Sequence, residues 1–156
     1  MKRRELREHI FRLLFRIEFN EADDMPEQVA LYMEDIPMAT EKDQEYIEAK
    51  YQAIVDHLEE IDRMLNEAAE GWKVSRMGKV ELSIMRLAAY EIRYDEDVPE
   101  SVAINEAVEM AKTFGGDDSP AFINGVLGKL AKHQELYPAG QRDEKGRKGN
   151  GREEMR

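Results

Sequence analysis

The chain has 156 residues, of which 34 are acidic and 23 are lysine or arginine, giving a formal net charge of −11. This length suits one domain, or two small subdomains, with a buried hydrophobic core. The chain contains no cysteine, which excludes disulfides, thiolate metal sites and cysteine nucleophiles. No apolar run approaches the roughly 18 residues that span a bilayer, and no signal-peptide segment follows the basic N-terminus. We therefore expect a cytoplasmic protein that does not enter a membrane.

The charge is distributed unevenly along the chain. Residues 1–20 contain six Lys or Arg against three acids, and residues 138–156 contain six against four, whereas residues 21–137 contain eleven against twenty-seven. Because salt screens charges beyond about 8–10 Å, a basic patch on an acidic body can still bind phosphate groups. The acidic body itself favours a basic protein partner.

Helical periodicity is the only strong secondary-structure signal. It predicts helices at about 3–19, 26–33, 42–69, 77–94 and 101–113, and one that starts near Ser119. No alternation typical of strands occurs, so the sequence predicts an all-α fold. The residues after Tyr137 are rich in glycine and charge and nearly devoid of apolar side chains, which predicts a disordered tail over 138–156.

The first helix has three distinct faces when its residues are placed at 100° intervals. Its apolar stripe consists of Leu6, Ile10, Leu13, Leu14 and Ile17. One flank combines arginines with aromatic rings: Arg3, Arg4, Arg7, Phe11 and Phe15. The opposite, solvent-facing side carries Glu5, Glu8, His9, Arg12 and Arg16.

The arginine and phenylalanine flank allows two interpretations. Guanidinium groups bind phosphates and aromatic rings stack on bases, so this combination suits single-stranded RNA. Alternatively, Phe11 and Phe15 complete the core and the arginines are merely solvated. The spacing alone leaves both open.

A short break separates the last two predicted helices, in the stretch "FGGDDSPAF" at residues 114–122. Gly115 is expected to close the first helix in the left-handed conformation. Asp118 or Ser119 is expected to cap the next helix, and Pro120 suits its first turn because its missing N–H costs nothing there. Earlier in the chain, "EGWKVSR" interrupts the helical pattern, and Trp72 is expected to pack at this hinge.

Several kinds of chemistry lack support in the sequence. The three histidines, His9, His57 and His133, show no metal-ligand spacing. There is no phosphate-binding loop, dinucleotide fingerprint or nucleophile turn. We expect no enzyme activity, no metal and no cofactor.

The chain resembles the NusB family of bacterial transcription antitermination factors over about residues 3–132. The likeness lies in "RRELREHIFRLLF", in Trp72, Arg76 and Val80, in "IMRLAAYEI", and in "VPESVAINEAVEMAKTFGGDDSPAFINGVLGKL". It implies six to seven helices in two small packed bundles. We place these at about 1–70 and 71–137, together forming one RNA-binding domain.

The resemblance also implies a function. Such factors bind the single-stranded boxA element of ribosomal RNA leaders together with the ribosomal protein NusE, and the complex joins RNA polymerase to suppress termination. Some members form homodimers through surfaces that overlap the RNA site.

The family's functional positions can be carried over to this sequence as expectations. The RNA-binding positions fall on Lys2, Arg3, Arg4, Arg7, Phe114, Asp118 and Phe122. The NusE-facing positions fall on Phe15 and Glu81. Asp118 would repel phosphate, so we interpret it as a cap or a modulator of affinity.

Other matching polar residues are expected to hold helices together through hydrogen bonds. They are Arg86, Glu91, Asn105, Glu106 and Asn124. Two alternative functions remain: a helical adaptor that binds only proteins, and a stand-alone relative of the RNA-binding domain of a ribosomal RNA cytosine methyltransferase.

Overall fold

The computed structural model describes residues 1–132, which form seven α-helices and contain no strand. The helices are α1 (Arg3–Ile17), α2 (Met25–Glu34), α3 (Glu41–Asp56), α4 (Leu58–Ala68), α5 (Lys79–Tyr94), α6 (Glu100–Phe114) and α7 (Ser119–Lys132). Short 3-10 turns occupy Ala22–Asp24 and Val74–Arg76. The all-α prediction is confirmed. The tail predicted to be disordered, 138–156, lies outside the described residues.

Local chemistry explains several of the helix starts. At α3, Thr40 Oγ1 accepts a hydrogen bond from Asp43 N at 3.0 Å, and Asp43 Oδ2 accepts one from Thr40 N at 3.0 Å. This reciprocal pair satisfies two backbone donors that the first turn would otherwise leave open. Pro26 lies in the first turn of α2, and Pro99 immediately precedes α6.

The predicted single helix over 42–69 is wrong, because the chain breaks at His57. This residue has φ −109° and ψ 14°, outside the helical region. Its Nδ1 donates to the Ala53 carbonyl oxygen at 2.8 Å, and its ring lies 4.2 Å from that of Tyr94. The ring contact with α5 is a long-range interaction, which periodicity within the segment could not reveal.

Helix α5 is the centre of the fold. Every residue from Leu82 to Tyr94 is buried, and α5 packs against α1, α4, α6 and α7. A helix enclosed on all sides must also bury its polar residues, and Arg86, Glu91 and Arg93 are each at most 6% exposed. Such groups need partners of opposite charge, and these partners shape the candidate site below.

The helices form two packed groups. Helix α1 packs on α2 and α3, whereas α4 packs mainly on α5 and α7 and makes little contact with α3. The boundary between the two bundles, predicted near residue 70, stays a prediction. Helix α1 also packs along α5 and therefore joins the two groups.

The break between α6 and α7 differs from its prediction at Gly115. This residue has φ −102° and ψ −173°, which is extended backbone and not the left-handed conformation expected. The break is stabilised instead by Ser119, whose Oγ accepts a hydrogen bond from Gly116 N at 3.0 Å. A Cβ on Gly115 would lie 2.7 Å from Ser119 Oγ, so the close approach of this side chain explains the glycine.

Candidate nucleic-acid interface

Four helix ends meet at one end of the molecule, which we call the junction end. The C-terminal ends of α1 and α6 and the N-terminal ends of α5 and α7 converge there. Phe11 and Phe114 lie 5.0 Å apart between ring centroids, and Lys79 Nζ lies 4.0 Å from Glu18 Oε1. The predicted proximity of the first helix to residues 114–122 is therefore present at the C-terminal half of α1.

Aromatic side chains follow α1 from the core to the surface at this end. The Phe11 and Phe15 centroids lie 6.1 Å apart, and those of Phe15 and Phe19 lie 5.0 Å apart. Phe11 is buried at 4% exposure, Phe15 is half-buried, and Phe19 is 59% exposed. Phe11 thus belongs to the core, as the second interpretation of this flank proposed, while Phe15 and Phe19 offer apolar area to a ligand.

The predicted RNA-binding cations lie mainly at the other end of α1. Lys2, Arg3 and Arg4 are exposed. Arg4 donates from Nε and Nη2 to the Glu106 carboxylate at 3.0 and 2.9 Å, and this hydrogen bond lowers the pKa of Glu106 below its ordinary value. Arg3 forms no ion pair within residues 1–132.

Arg7 does not lie on the surface. It is 7% exposed, and its Nε donates to Glu91 Oε2 at 3.1 Å. Lys50 Nζ donates to the same carboxylate oxygen at 2.7 Å and lies 3.1 Å from Asp95 Oδ2. Burial lowers the pKa of the Lys50 amine, but the charge of Glu91 and its neighbours outweighs this and raises the pKa above its ordinary value. In this structure the Arg7 guanidinium binds a carboxylate and is closed to phosphate.

Arg12 occupies a place that the sequence did not predict. It was assigned to the side opposite the phenylalanines, yet its guanidinium lies 5.2 Å from the Phe114 ring centroid. It is exposed and has no ion-pair partner within residues 1–132. A cation held over a ring is attracted by the π electrons, so α6 fixes Arg12 beside the aromatic row. Only the position of α6 could have revealed this, because the pair is far apart in sequence.

The residues expected at the α6–α7 break occupy three different environments. Phe114 is half-buried between Phe11 and Arg12. Asp118 is exposed, and its carbonyl oxygen accepts a hydrogen bond from Phe122 N at 3.2 Å. Phe122 is half-buried, with its ring 6.3 Å from that of Trp72.

Phe15 and Glu81, the two residues expected to face a protein partner, both lie at the junction end. The Glu81 carboxylate accepts a hydrogen bond from Ser119 Oγ. Because Ser119 Oγ also accepts from Gly116 N, the α5 carboxylate is linked directly to the backbone of the α6–α7 break. A partner that contacts Glu81 would therefore lie close to the first turn of α7, which contains Phe122.

The polar residues expected to join helices behave in two ways. Arg86 donates from Nε to Asp62 at 2.9 Å and from Nη1 to Glu18 at 2.7 Å, which joins α5 to α4 and α1. Glu91 and Glu106 make the contacts already described. Asn105 and Asn124 are exposed, so a role in joining helices is not observed for them.

Two kinds of structure are absent from residues 1–132. No helix in this part of the chain has the length and apolar character to cross a membrane. No group of three or more histidine, cysteine or acidic side chains in the same range is arranged to hold a metal ion.

The fold and this surface define a two-bundle helical binding protein, with cations and aromatic rings exposed around the ends of α1, α6 and α7. The NusB family model matches residues 4–132. The transcription antitermination protein NusB of Lachnoclostridium phytofermentans is 52% identical over 130 residues, covering 83% of this chain and 98% of that protein. The NusB of Agathobacter rectalis is 46% identical over 131 residues, covering 84% of this chain and all of that protein.

Solved structures agree with these sequence relatives. The T. maritima NusB structure has 31% identity and a TM-score of 0.77, covering 85% of this chain and 92% of that one. A chain from the crystal structure of antitermination factors NusB and NusE in complex with dsRNA has 23% identity and a TM-score of 0.74, covering 83% of this chain and 96% of that one. The latter likeness concerns the fold alone.

The chain belongs to the NusB family. This membership confirms the resemblance found in the sequence and the expectation of a non-enzymatic protein.

Proposed function

We propose that this chain is a cytoplasmic transcription antitermination factor that binds boxA-type single-stranded leader RNA together with NusE. In this proposal the complex joins RNA polymerase and helps it read through terminators in ribosomal RNA operons. Relatives named transcription antitermination protein NusB, at 52% and 46% identity over most of the chain, support this proposal.

The observation that carries the RNA-binding part is a set of cations without ion-pair partners in residues 1–132, one of which lies over a half-buried ring, on an acidic protein. Arg12 is fixed over Phe114, and Lys2 and Arg3 are exposed on the same helix. Since aromatic rings stack on bases and guanidiniums bind phosphates, this surface suits a single strand whose bases are accessible. Arg7 contributes by positioning α1 on α5 through Glu91.

The NusE-binding part of the proposal also involves the junction end. Phe15 and Phe19 supply apolar area, and Glu81 supplies a carboxylate linked to Ser119. The chain's net charge of −11 suits a basic partner. The same surface is available for self-association, and light scattering of the free protein would measure whether a homodimer forms.

Fluorescence anisotropy of a labelled boxA-like RNA strand tests the proposal. We expect the strand to bind more tightly with NusE present than to either protein alone, and more tightly than a scrambled strand of equal composition. Replacing Lys2, Arg3 and Arg4 together by Ala should reduce the slope of log affinity against log salt by roughly 0.7 for each lost phosphate contact.

Charge-retaining variants are the matched control for that triple replacement. Arg3→Lys and Arg4→Lys together should keep most of the salt slope, because lysine also neutralises a phosphate. If the triple alanine variant bound RNA as well as the parent while still binding NusE, the protein-only adaptor would be the better interpretation.

A further inference from the structure

The linker between α4 and α5, residues 69–78, has a charge unlike the rest of the acidic body. From Gly71 to Lys79 the sequence contains Lys73, Arg76 and Lys79 and no acidic residue. The segment lies within residues 21–137, whose overall composition is strongly acidic, so its local positive charge is hidden in the average. The linker passes beside α7, close to Phe122.

The linker cations are available to a ligand. Lys73 and Arg76 are exposed, and neither forms an ion pair within residues 1–132. Lys79 is more constrained, since its Nζ lies 4.0 Å from Glu18 Oε1 and 5.7 Å from the Phe19 ring centroid. The linker therefore presents two cations that have no ion-pair partner in the described part of the chain.

Trp72, which directly precedes Lys73 in the linker, contacts α7 through Phe122. Its ring is 6.3 Å from that of Phe122 at an interplanar angle of 75°, an edge-on contact. The residue remains 55% exposed. It does pack at the hinge, as the sequence predicted, but more than half of its surface stays open to a second aromatic group.

The linker backbone holds Trp72 in this position. Glu70 and Gly71 both have positive φ, 47° and 99°, and for Glu70 this is a strained conformation. Asn66 Oδ1 accepts a hydrogen bond from Val74 N at 2.8 Å, and the Glu70 carboxylate forms an ion pair with Lys129 on α7. Strained backbone that is fixed from several sides is characteristic of functional positions.

We propose that the α4–α5 linker is a second RNA-binding arm, in which a base stacks on Trp72 beside Phe122 while Lys73 and Arg76 bind the adjoining phosphates. This inference rests on the proposed function and extends the surface beyond α1 and the α6–α7 break. Charge complementarity favours RNA as the occupant, because unpaired cations attract phosphates and would repel a basic protein. Every base has a flat face that can stack on a ring, so this arm should add affinity whichever base lies on Trp72.

Trp72 is the only tryptophan of the chain, so its fluorescence reports directly on this arm. Single-stranded boxA-like RNA is titrated into the full-length protein while tryptophan emission is recorded, and anisotropy of the labelled strand reports binding in parallel. We expect the emission to be quenched with the same midpoint as the anisotropy change. RNA binding without any change in emission would overturn the inference and leave the proposed function standing.

Variants separate stacking from charge. Trp72→Ala should weaken RNA binding roughly 5- to 150-fold, as expected for one lost stacked base, whereas Trp72→Phe should restore most of the affinity. Lys73→Gln with Arg76→Gln should lower the salt slope by about 1.4, or about 0.7 for each contact. The matched pair Lys73→Arg with Arg76→Lys retains the charges and should keep the parent slope.

The remaining outcomes also decide the matter. An unchanged affinity for Trp72→Ala together with an unchanged slope for the glutamine pair would refute the second arm. In a second experiment NusE is added, and the emission of NusE alone is subtracted. If Trp72 emission changed with NusE and did not change with RNA, the linker would be assigned to the protein partner and the inference would be overturned. No RNA binding by the parent, with or without NusE, would overturn the proposed function and this inference with it.

Discussion

The two halves of α1 use the same residue types for different purposes. In the N-terminal half, Arg4 and Arg7 are bound to carboxylates of α6 and α5. In the C-terminal half, Arg12 is bound to no carboxylate within residues 1–132 and lies over the Phe114 ring. Arg4 and Arg7 therefore connect α1 to its neighbouring helices, whereas Arg12 is an exposed cation beside an aromatic ring.

Counting arginines therefore cannot locate a phosphate site on a helix. What matters is whether a neighbouring helix supplies a carboxylate, since a buried guanidinium requires one. Glu91 and Glu106 supply carboxylates to the N-terminal half of α1. At the C-terminal end of α6, the neighbour of Arg12 is the Phe114 ring and not a carboxylate. The ring attracts the guanidinium but does not neutralise its charge. Five predictions test this contrast and the surface around it.

The largest effect is expected from Glu91→Ala. The substitution leaves Arg7 without its carboxylate and leaves Lys50, 6% exposed, with the Asp95 carboxylate and the Tyr46 hydroxyl. Breaking a buried ion pair from one side costs about 3–5 kcal/mol, so the free energy of unfolding, measured by urea denaturation, should fall by about that amount. Glu106→Ala, which breaks the exposed Arg4 pair, is the control and should cost about 0–1 kcal/mol. Equal losses for the two variants would erase the distinction between the halves of α1.

Phe122→Ala should weaken RNA binding by about 1–3 kcal/mol, because one base loses its stacking surface. Phe122 is half-buried in the first turn of α7, so thermal unfolding of the variant should be compared with that of the parent. Phe122→Tyr keeps the aromatic face and should bind close to the parent level. A tyrosine variant as weak as the alanine variant would show that packing, and not stacking, explains the loss.

Arg12→Gln should lower the slope of log affinity against log salt by about 0.7, as expected for one phosphate contact in a single strand. The guanidinium is exposed, so the unfolding temperature should be nearly unchanged. Arg7→Gln is the matched comparison and should show the reverse: a clear loss of stability and little change in slope of the remaining folded protein. An unaltered slope for Arg12→Gln would remove Arg12 from the RNA-binding surface.

The smallest effect is expected from Glu106→Gln. This change releases Arg4 from its carboxylate, so RNA affinity at low salt should rise slightly and the salt slope should steepen by no more than about 0.7. Weaker RNA binding in the variant would mean that the ion pair holds Arg4 in its binding position.

The Arg4–Glu106 pair should make the stability of the protein depend on pH. The Arg4 hydrogen bond lowers the folded-state pKa of Glu106 below its ordinary value of 4.5. The pair's contribution to stability is therefore complete above pH 4.5 and is lost as the pH falls through the lower folded-state pKa. The stability difference between parent and Glu106→Gln should shrink in that acidic range, measured by urea denaturation at several pH values. A difference that stayed constant on acidification would show that the pairing does not depend on the carboxylate charge.

The sequence predicted the parts of the surface that a single helix determines. The periodicity of α1 placed Phe11 and Phe15 on one flank, and the α6–α7 break was located at its glycines. Within α1 the face of each residue follows from 100° per residue, so these predictions needed no knowledge of the neighbouring helices.

Features that depend on two distant segments were missed. The contact of Arg12 with Phe114 and the burial of Arg7 against Glu91 both require the packing of α1 on α5 and α6. The contact of His57, at the break between α3 and α4, with Tyr94 likewise joins distant segments. The local positive charge of Lys73 and Arg76 was also missed. Charge was counted over all of residues 21–137, where the many acidic residues outweigh these two.

The guanidinium of Arg86 binds Glu18 at the end of α1 and Asp62 on α4, and so holds two arms of the candidate surface at a fixed separation. One arm is the C-terminal half of α1, and the other is the linker that follows α4. In the proposed RNA complex, a change at Arg86 would therefore alter how far apart along the strand the two bound nucleotides lie. Spacing preference would shift although every side chain that touches the strand stayed the same.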